Sequence, residues 1–205
     1  MLLVELDRFM LDCTSRNLSR KTLQSYDQVL RLFIRYLSEQ HGVTDVADVK
    51  PDHLRQYADY LRERGKYTVV SNEQTAKINR PDKRNDRGQR MSDTTMSNYL
   101  RTIKVFLRWL YRERIIDKDL AKDVPDVKPA RKHKPLLSEN ELHLLFRAFD
   151  TSTFHGFRDW TITRLILDTG CRVGECLEIV RSDVHLRNHA ILLRYTKNHK
   201  ERFVY

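Results

Sequence analysis

Apolar residues recur at steps of three and four through most of the first two-thirds of this sequence, and this periodicity restricts the region to helices. The clearest stripe consists of Leu23, Tyr26, Leu30, Phe33 and Leu37. Ser19 stands where a helix N-cap is needed, and Gly42 stands where a helix can end in a left-handed residue. We therefore predict one long amphipathic helix between Ser19 and Gly42.

Three further segments repeat this pattern. A helix that starts at Pro51, a residue suited to the first helical turn, should end before Gly65 and bury Leu54, Tyr57, Ala58 and Leu61. Another should start at Ser92 or Asp93 and bury Tyr99, Ile103, Phe106, Leu107 and Leu110. The opening segment, with the apolar residues Leu3, Leu6, Phe9 and Met10, should form another helix. Together these segments predict a bundle of about four helices.

Two segments lack such periodicity. Residues 66–91 are strongly basic, with six basic and two acidic residues between Lys77 and Arg90. A loop of this length is either a solvated, mobile insertion or a functional arm, here one that contacts DNA, and the sequence leaves both open. Residues 126–136 are basic and rich in proline, which is typical of a linker. The predicted domains are therefore 1–125 and 137–205.

The second domain mixes helices with a β-hairpin. Ser138 and Glu141 form a capping-box pattern before a helix that should bury Leu142, Leu145, Phe146 and Phe149. A further helix should run from about residue 157 to 168. Two β-rich runs then flank a polar turn at residues 198–200, which predicts a hairpin. The fold class is mainly α with a small β part.

Charge and composition narrow the class of protein. A net charge of +10 favours a polyanionic partner such as the phosphate backbone of a nucleic acid. No apolar run approaches the roughly 20 residues of a membrane helix, and no secretory signal opens the chain, so we expect a cytoplasmic protein. Three cysteines without a C-x-x-C pair argue against a disulfide framework and against a metal site.

Two cations of the second domain could engage a phosphate, and a carboxylate lies near one of them. Arg172 follows Thr169-Gly170, Glu175 lies one helical turn beyond it, and Lys197 lies in the hairpin turn. The carboxylate could hold the guanidinium in place, and an arginine and a lysine on one phosphate would stabilise charge that develops at phosphorus. Equally, Arg172 and Glu175 could form an ordinary helix ion pair, with Lys197 solvated.

The order of these motifs along the chain, and the sequences around them, resemble those of a known family. The segment TGCRVGECLEIVRSDVHL resembles the tyrosine recombinase (phage integrase) motif T-G-x-R-x-x-E-x-x-x-L-x-x-x-D, with Ile179 at the leucine position and Asp183 at the last. TKNHKERFV is similar to the family's hairpin G-K-G-x-K-E-R-x-V-P. SRKTLQSYDQVLRLFIRYL and TTMSNYLRTIKVFLRWLYRERII resemble two helices of its core-binding domain, and KPLLSENELHLLF resembles the entry to its catalytic domain. The resemblance to a Xer-like integrase spans nearly the whole chain.

The resemblance implies a four-helix, SAM-like core-binding bundle followed by a truncated mixed α/β catalytic domain. It implies a strand-transfer enzyme that forms a 3′-phosphotyrosyl link without metal or cofactor. Arg172 would bind the scissile phosphate, Glu175 would support it, and Lys197, or alternatively Lys200, would act as general acid. The family's later catalytic residues and its tyrosine nucleophile have no match here, and Tyr205 is not assigned that role. We therefore expect DNA binding without cleavage.

DNA contacts are expected at three places. Arg20, Lys21 and Thr22 open the helix after Ser19, where cations and backbone N–H groups both suit phosphate. Four polar residues share one face of the helix near residue 94 and could enter a major groove: Thr95, Asn98, Arg101 and Lys104. Lys132 and Lys134 in the linker could follow the backbone. A merely solvated helix face explains any single one of these residues almost as well.

The resemblance also sets the expected partners. These are a double-stranded recombination site and, for the full-length protein, a homotetramer on DNA, with no membrane and no small-molecule substrate. The chain by itself should be monomeric and, in a bacterial cell, nucleoid-associated when bound. Two alternatives stay open: a non-catalytic DNA-binding protein derived from a recombinase, and a helical protein-interaction module with incidental basicity.

Overall fold

A computed structural model describes residues 1–127, 129, 135–194 and 200–205 of the chain. The chain forms two compact units, residues 1–132 and 133–205. The first unit is helical, and the second combines three helices with a small sheet. The predicted fold class, mainly helical with a small β part, is confirmed.

Four long helices of the first unit pack around one apolar core. In chain order the helices of this unit are α1 (Leu2–Ser15), α2 (Arg20–His41), α3 (Pro51–Arg64), the short α4 (Glu73–Asn79) and α5 (Asp93–Arg112). Helix α2 contacts α1, α3 and α5, and α5 contacts all three other long helices. Phe9, Phe33, Tyr57 and Phe106 are among the largest side chains that are fully buried. Across the described residues, no helix is long and apolar enough to span a bilayer.

Local capping fixes the ends of these helices, as predicted. Ser19 Oγ accepts a hydrogen bond from the Thr22 N–H at 3.2 Å, which satisfies a donor that the first turn leaves without a partner. Ser92 does the same at the start of α5. Gly42 ends α2 in the left-handed conformation, with φ of +65°. The predicted starts at Pro51 and Ser92 and the end before Gly65 are confirmed.

The opening segment is helical, as predicted, and its buried residues are Leu2, Leu6, Phe9 and Cys13. Met10 is half-buried and Leu3 is exposed. Leu2 precedes Leu6 by four residues and Leu3 precedes it by three, and because both steps fit the helical period, spacing alone does not choose between them.

Residues 66–91 are more structured than their lack of periodicity predicted, since they contain α4 and a 3-10 turn at Pro81–Lys83. Main-chain hydrogen bonds close the segment at its base. The Lys66 N–H donates to the Gln89 carbonyl at 2.9 Å, and the Gly88 N–H donates to the Lys66 carbonyl at 2.8 Å. Above this base the Arg84 guanidinium lies 4.0 Å from the centroid of the Tyr67 ring.

The second unit consists of α6 (Glu139–Arg147), α7 (Phe154–Thr169), α8 (Val173–Leu177) and an antiparallel sheet of β1 (Val184–His185), β2 (Ala190–Leu193) and β3 (Arg202–Val204). The strand order is β1-β2-β3, and Leu193 is in register with Arg202. The predicted pairing of two strands as a hairpin is thus confirmed. Most of its predicted turn, residues 198 and 199, lies outside the described residues.

Helix α6 is less buried than predicted. The capping box is present, because Glu141 Oε2 accepts from the Ser138 N–H at 2.8 Å and Ser138 Oγ accepts from the Glu141 N–H at 3.3 Å. Four apolar residues in and just after α6 were expected to be buried but are only half-buried: Leu142, Leu145, Phe146 and Phe149. The small core of this unit instead contains Cys171, Cys176 and Leu193, against which α7 packs.

Candidate functional site

Arg172 and Glu175 meet at the start of α8. Gly170 ends α7 with φ of +64°, and Arg172 then caps α8 in an extended conformation. The Arg172 N–H donates to Glu175 Oε2 at 3.0 Å, and its Nη1 donates to Glu175 Oε1 at 2.6 Å. The reversal at Gly170 therefore presents the arginine and the carboxylate as one unit.

Glu175 is buried and Arg172 is not. The Glu175 residue is 4% exposed, whereas the Arg172 side chain is 59% exposed. Arg202 on β3 also donates to this carboxylate, from Nη2 to Oε2 at 2.7 Å and from Nη1 to Oε1 at 3.3 Å. Bonds from Arg202 and from the Arg172 N–H lower the pKa of Glu175 to about 2, so the carboxylate is ionised at neutral pH.

A second buried carboxylate, that of Asp183 directly before β1, contacts Arg194, the residue that follows β2. Asp183 Oδ1 accepts from Arg194 Nε at 2.6 Å, and Asp183 Oδ2 accepts from the Val180 N–H at 3.2 Å. The Arg194 guanidinium lowers the pKa of Asp183 below its usual range. Arg194 directly after β2 and Arg202 at the start of β3 thus lie on either side of the hairpin turn, and each is bonded to a buried carboxylate.

Lys197, predicted in the hairpin turn, and the linker residues Lys132 and Lys134 lie outside the described residues. Lys200, the alternative general acid, is described and exposed. Tyr205 is exposed. Of the predicted catalytic set, the structure therefore brings together Arg172 and Glu175.

The start of α2 places the predicted phosphate contacts on the surface. Arg20 and Lys21 are exposed, and Thr22 is half-buried with its Oγ1 lying 2.9 Å from Ser19 Oγ. Because Ser19 already accepts the Thr22 N–H, the first turn keeps its cap while the two cations face solvent. Both cations are available to a phosphate backbone.

The four predicted DNA contacts on helix α5 differ in their exposure to solvent. Asn98 and Arg101 are exposed, and Thr95 is half-buried. Lys104 is 4% exposed, and its Nζ donates to the Val124 carbonyl and to Asp126 Oδ1, each at 2.5 Å. Its inclusion among exposed contacts was wrong, because the chain that leaves the bundle folds back over this position. The ammonium lowers the pKa of Asp126.

Sequence reasoning did not single out Arg202 or Arg194. Arg202 stands within the segment similar to the family's K-E-R-x-V, but no role was attached to it. Both arginines flank the turn, and both have a carboxylate partner at least 11 residues upstream. Only the pairing of the strands indicates these contacts. Among the described residues, no group of three or more His, Cys, Asp or Glu side chains could hold a metal ion.

Two family profiles match the chain. The profile of the phage integrase N-terminal SAM-like domain matches residues 6–78, and that of the phage integrase family matches residues 135–205. Tyrosine recombinase XerD of Listeria monocytogenes serotype 4b (strain F2365) is 23% identical over 189 residues, which are 92% of this chain and 55% of XerD. Tyrosine recombinase XerC of Bacillus subtilis (strain 168) is 25% identical over 184 residues, which are 89% of this chain and 59% of XerC. This chain spans little more than half the length of these relatives.

Solved structures show the same fold. A lambda integrase tetramer bound to a Holliday junction aligns with a TM-score of 0.65 and 17% identity, covering 99% of this chain and 50% of that chain. A lambda integrase dimer bound to a COC′ core site aligns with a TM-score of 0.63 and 17% identity, covering 98% of this chain and 47% of that chain. At this identity the likeness is one of fold.

Proposed function

We propose, from the premise that this chain belongs to the phage integrase family of tyrosine recombinases, that it binds duplex DNA at a recombination site and that the whole protein cuts and rejoins DNA strands there. The observation that carries this proposal is the pairing of Arg172 with Glu175. An exposed guanidinium is held by a buried, ionised carboxylate at the reversal into α8. Such a guanidinium can make two-point contact with phosphate oxygens.

In the proposed reaction the hydroxyl oxygen of a tyrosine loses its proton to solvent, attacks phosphorus and forms a 3′-phosphotyrosyl link, while the bond to the 5′ oxygen breaks. Arg172 binds the non-bridging oxygens and stabilises the charge that develops on them. Glu175 holds Arg172 in place. Lys197, or alternatively Lys200, donates a proton to the leaving 5′ oxygen. Side chains alone perform this chemistry.

Duplex binding engages both units. At the start of α2, Arg20 and Lys21 contact phosphates, together with Thr22. On α5, Thr95, Asn98 and Arg101 face a groove. Lys132 and Lys134 of the linker follow the sugar–phosphate backbone. The exposure of Arg20, Lys21, Asn98 and Arg101 supports this assignment.

We further propose that the whole protein acts as a homotetramer on two DNA sites in the cytoplasm. The lambda integrase tetramer on a Holliday junction supports this assembly. No residue of this chain matches the family's tyrosine nucleophile, so the 205-residue chain should bind DNA as a monomer without cleaving it.

Binding is tested by fluorescence anisotropy with a duplex that carries the recombination site, over a series of salt concentrations. Recombinase-type recognition predicts a steep dependence of the logarithm of affinity on the logarithm of salt, and tighter binding to the site than to a scrambled duplex. Equal, weak affinity for both duplexes would favour a protein-interaction module with incidental basicity.

The chemical roles are tested in the full-length protein with a suicide duplex. Arg172→Ala should abolish cleavage. Lys197→Ala should lose cleavage of the normal duplex but regain it when sulfur replaces the bridging 5′ oxygen, because a thiolate leaves without a proton. If the sulfur-containing duplex restored cleavage by Lys200→Ala and not by Lys197→Ala, the general acid would be Lys200. Normal cleavage by Arg172→Ala would refute the assignment of Arg172.

A further inference from the structure

We propose that Arg202 is a positioning residue for Arg172. It shares the Glu175 carboxylate with Arg172 and thereby leaves N–H donors of the Arg172 guanidinium available to bind an anion at the surface. This inference rests on the proposed function, since the anion is a DNA phosphate. It adds a residue to the site that lies on the return strand of the hairpin.

The first step is the number of hydrogen bonds at Glu175. Each carboxylate oxygen accepts two. Oε1 accepts Nη1 of Arg172 and Nη1 of Arg202, and Oε2 accepts the Arg172 N–H and Nη2 of Arg202. A carboxylate that is 4% exposed cannot rely on water, so these donors must balance its charge. Arg202 supplies half of the four bonds.

The second step is the balance of charge. Two guanidinium groups face one carboxylate, so the cluster of Arg172, Glu175 and Arg202 has a net charge of +1. Without Arg202 the cluster would be neutral, and Glu175 would draw Arg172 into a two-point contact with itself. In the structure Arg172 gives Glu175 only Nη1 of its guanidinium, and its side chain is 59% exposed. Arg202 therefore preserves donors on Arg172 for another anion.

The third step is the connection between elements. Arg202 is the first residue of β3, and its register partner is Leu193 at the end of β2. The two hydrogen bonds from its guanidinium to Glu175 connect β3, the return strand of the hairpin, to the start of α8. The same carboxylate thus fixes the position of Arg172 and the strand that follows Lys197 in the sequence.

The test uses the 205-residue chain and a site-bearing duplex over a salt series, with Arg172→Ala, Arg202→Met and the double variant. The control is Arg187→Met, since Arg187 is exposed and has no ion pair within the described part of the chain. Arg172→Ala should weaken binding about 10- to 100-fold, the loss of one charge-assisted contact. It should also reduce the salt slope by about 0.9, the share of one phosphate.

Positioning predicts that Arg202→Met reproduces this loss of slope and that the double variant loses no more. An unchanged slope in Arg202→Met would overturn the proposal. A double variant that loses about twice 0.9 would also overturn it, because Arg202 would then be an independent phosphate contact. Arg187→Met should keep the slope of the unsubstituted chain.

A second measurement does not depend on DNA. The Arg172 N–H donates to Glu175, so its amide resonance in a 1H–15N spectrum should move in Arg202→Met and stay in place in Arg187→Met. An unmoved resonance would refute the coupling of Arg202 to Arg172. If the unsubstituted chain bound no duplex, the proposed function would fail while this measurement still decided the coupling. Should Arg202→Met not fold, Arg202→Lys replaces it, with smaller changes in the same direction because an ammonium cannot make the two-point contact.

Discussion

Replacing Lys104 by methionine separates stability from DNA binding on helix α5. Lys104 lies on the same helix as Arg101, one turn further on, and the sequence analysis predicts both as groove contacts. In the structure the Lys104 ammonium is buried and bonded to the Val124 carbonyl and to Asp126. Lys104→Met keeps the length of the stem but removes both bonds.

The expected loss comes mainly from one of these bonds. The Asp126 side chain is 73% exposed, so water replaces the ammonium and the ion pair contributes little. The Val124 carbonyl loses a charged donor, which lowers the free energy of unfolding by about 1–2 kcal/mol. The packing of the apolar stem does not add to this loss, because methionine retains it. For a unit of this size that loss lowers the Tm by about 3–10 °C. The salt slope of DNA binding should not change, because no phosphate contact is lost.

The assay is thermal and urea unfolding of the chain followed by circular dichroism, with anisotropy titrations of the same samples. Arg101→Met is the matched control, since Arg101 is exposed one turn earlier. It should leave stability within about 0.5 kcal/mol and weaken binding to the site-bearing duplex, because it removes a contact that faces the groove. The reasoning is refuted if Lys104→Met keeps full stability and loses slope, because the ammonium would then contact DNA.

Three further changes follow from local geometry. Gly65→Ala should destabilise the first unit by more than about 2 kcal/mol in urea unfolding, because φ is +73° and a Cβ would lie 2.4 Å from the Gly88 carbonyl oxygen; Gly42→Ala, with φ of +65° and open space, should cost only about 1 kcal/mol, and equal costs would contradict the close approach. Ser138→Ala should lower the stability of α6 by about 1 kcal/mol, measured by amide hydrogen exchange, whereas Ser138→Asp should retain it. Glu175 has a lowered folded-state pKa, so its contribution is complete above its ordinary pKa of 4.5 and is lost as the pH falls to about 2. Glu175→Gln should therefore show a weaker loss of stability over this range of pH, and an acid profile equal to that of the unsubstituted chain would contradict the ion pairs.

The parts of the fold that follow from nearest neighbours in sequence could be predicted. Ser19 and Gly42 cap α2 through contacts within a few residues, so the sequence contains all the information needed. Apolar periodicity identified the buried face of α5 for the same reason. For α6 it identified the apolar face correctly, but periodicity cannot tell how completely that face is covered by other elements.

The parts that could not be predicted depend on distant partners. Lys104 bonds to groups 20 and 22 residues further on, and Arg202 bonds to a carboxylate 27 residues earlier. No local pattern shows that a lysine on a polar stripe is covered by a returning main chain. The bond between Arg172 and Glu175 was predictable because the two residues lie within one helical turn.

The main-chain bonds at Lys66 also bear on how far this protein tolerates changes in length. These bonds hold the two ends of the segment between Lys66 and Gln89 together. Residues added within this segment therefore need not alter the helices on either side. The entropy of closing a flexible loop grows only logarithmically, and doubling its length costs about 0.6 kcal/mol. An insertion between Lys66 and Gln89 should therefore leave the long helices of the bundle in place, provided that the main-chain bonds at Lys66 are kept.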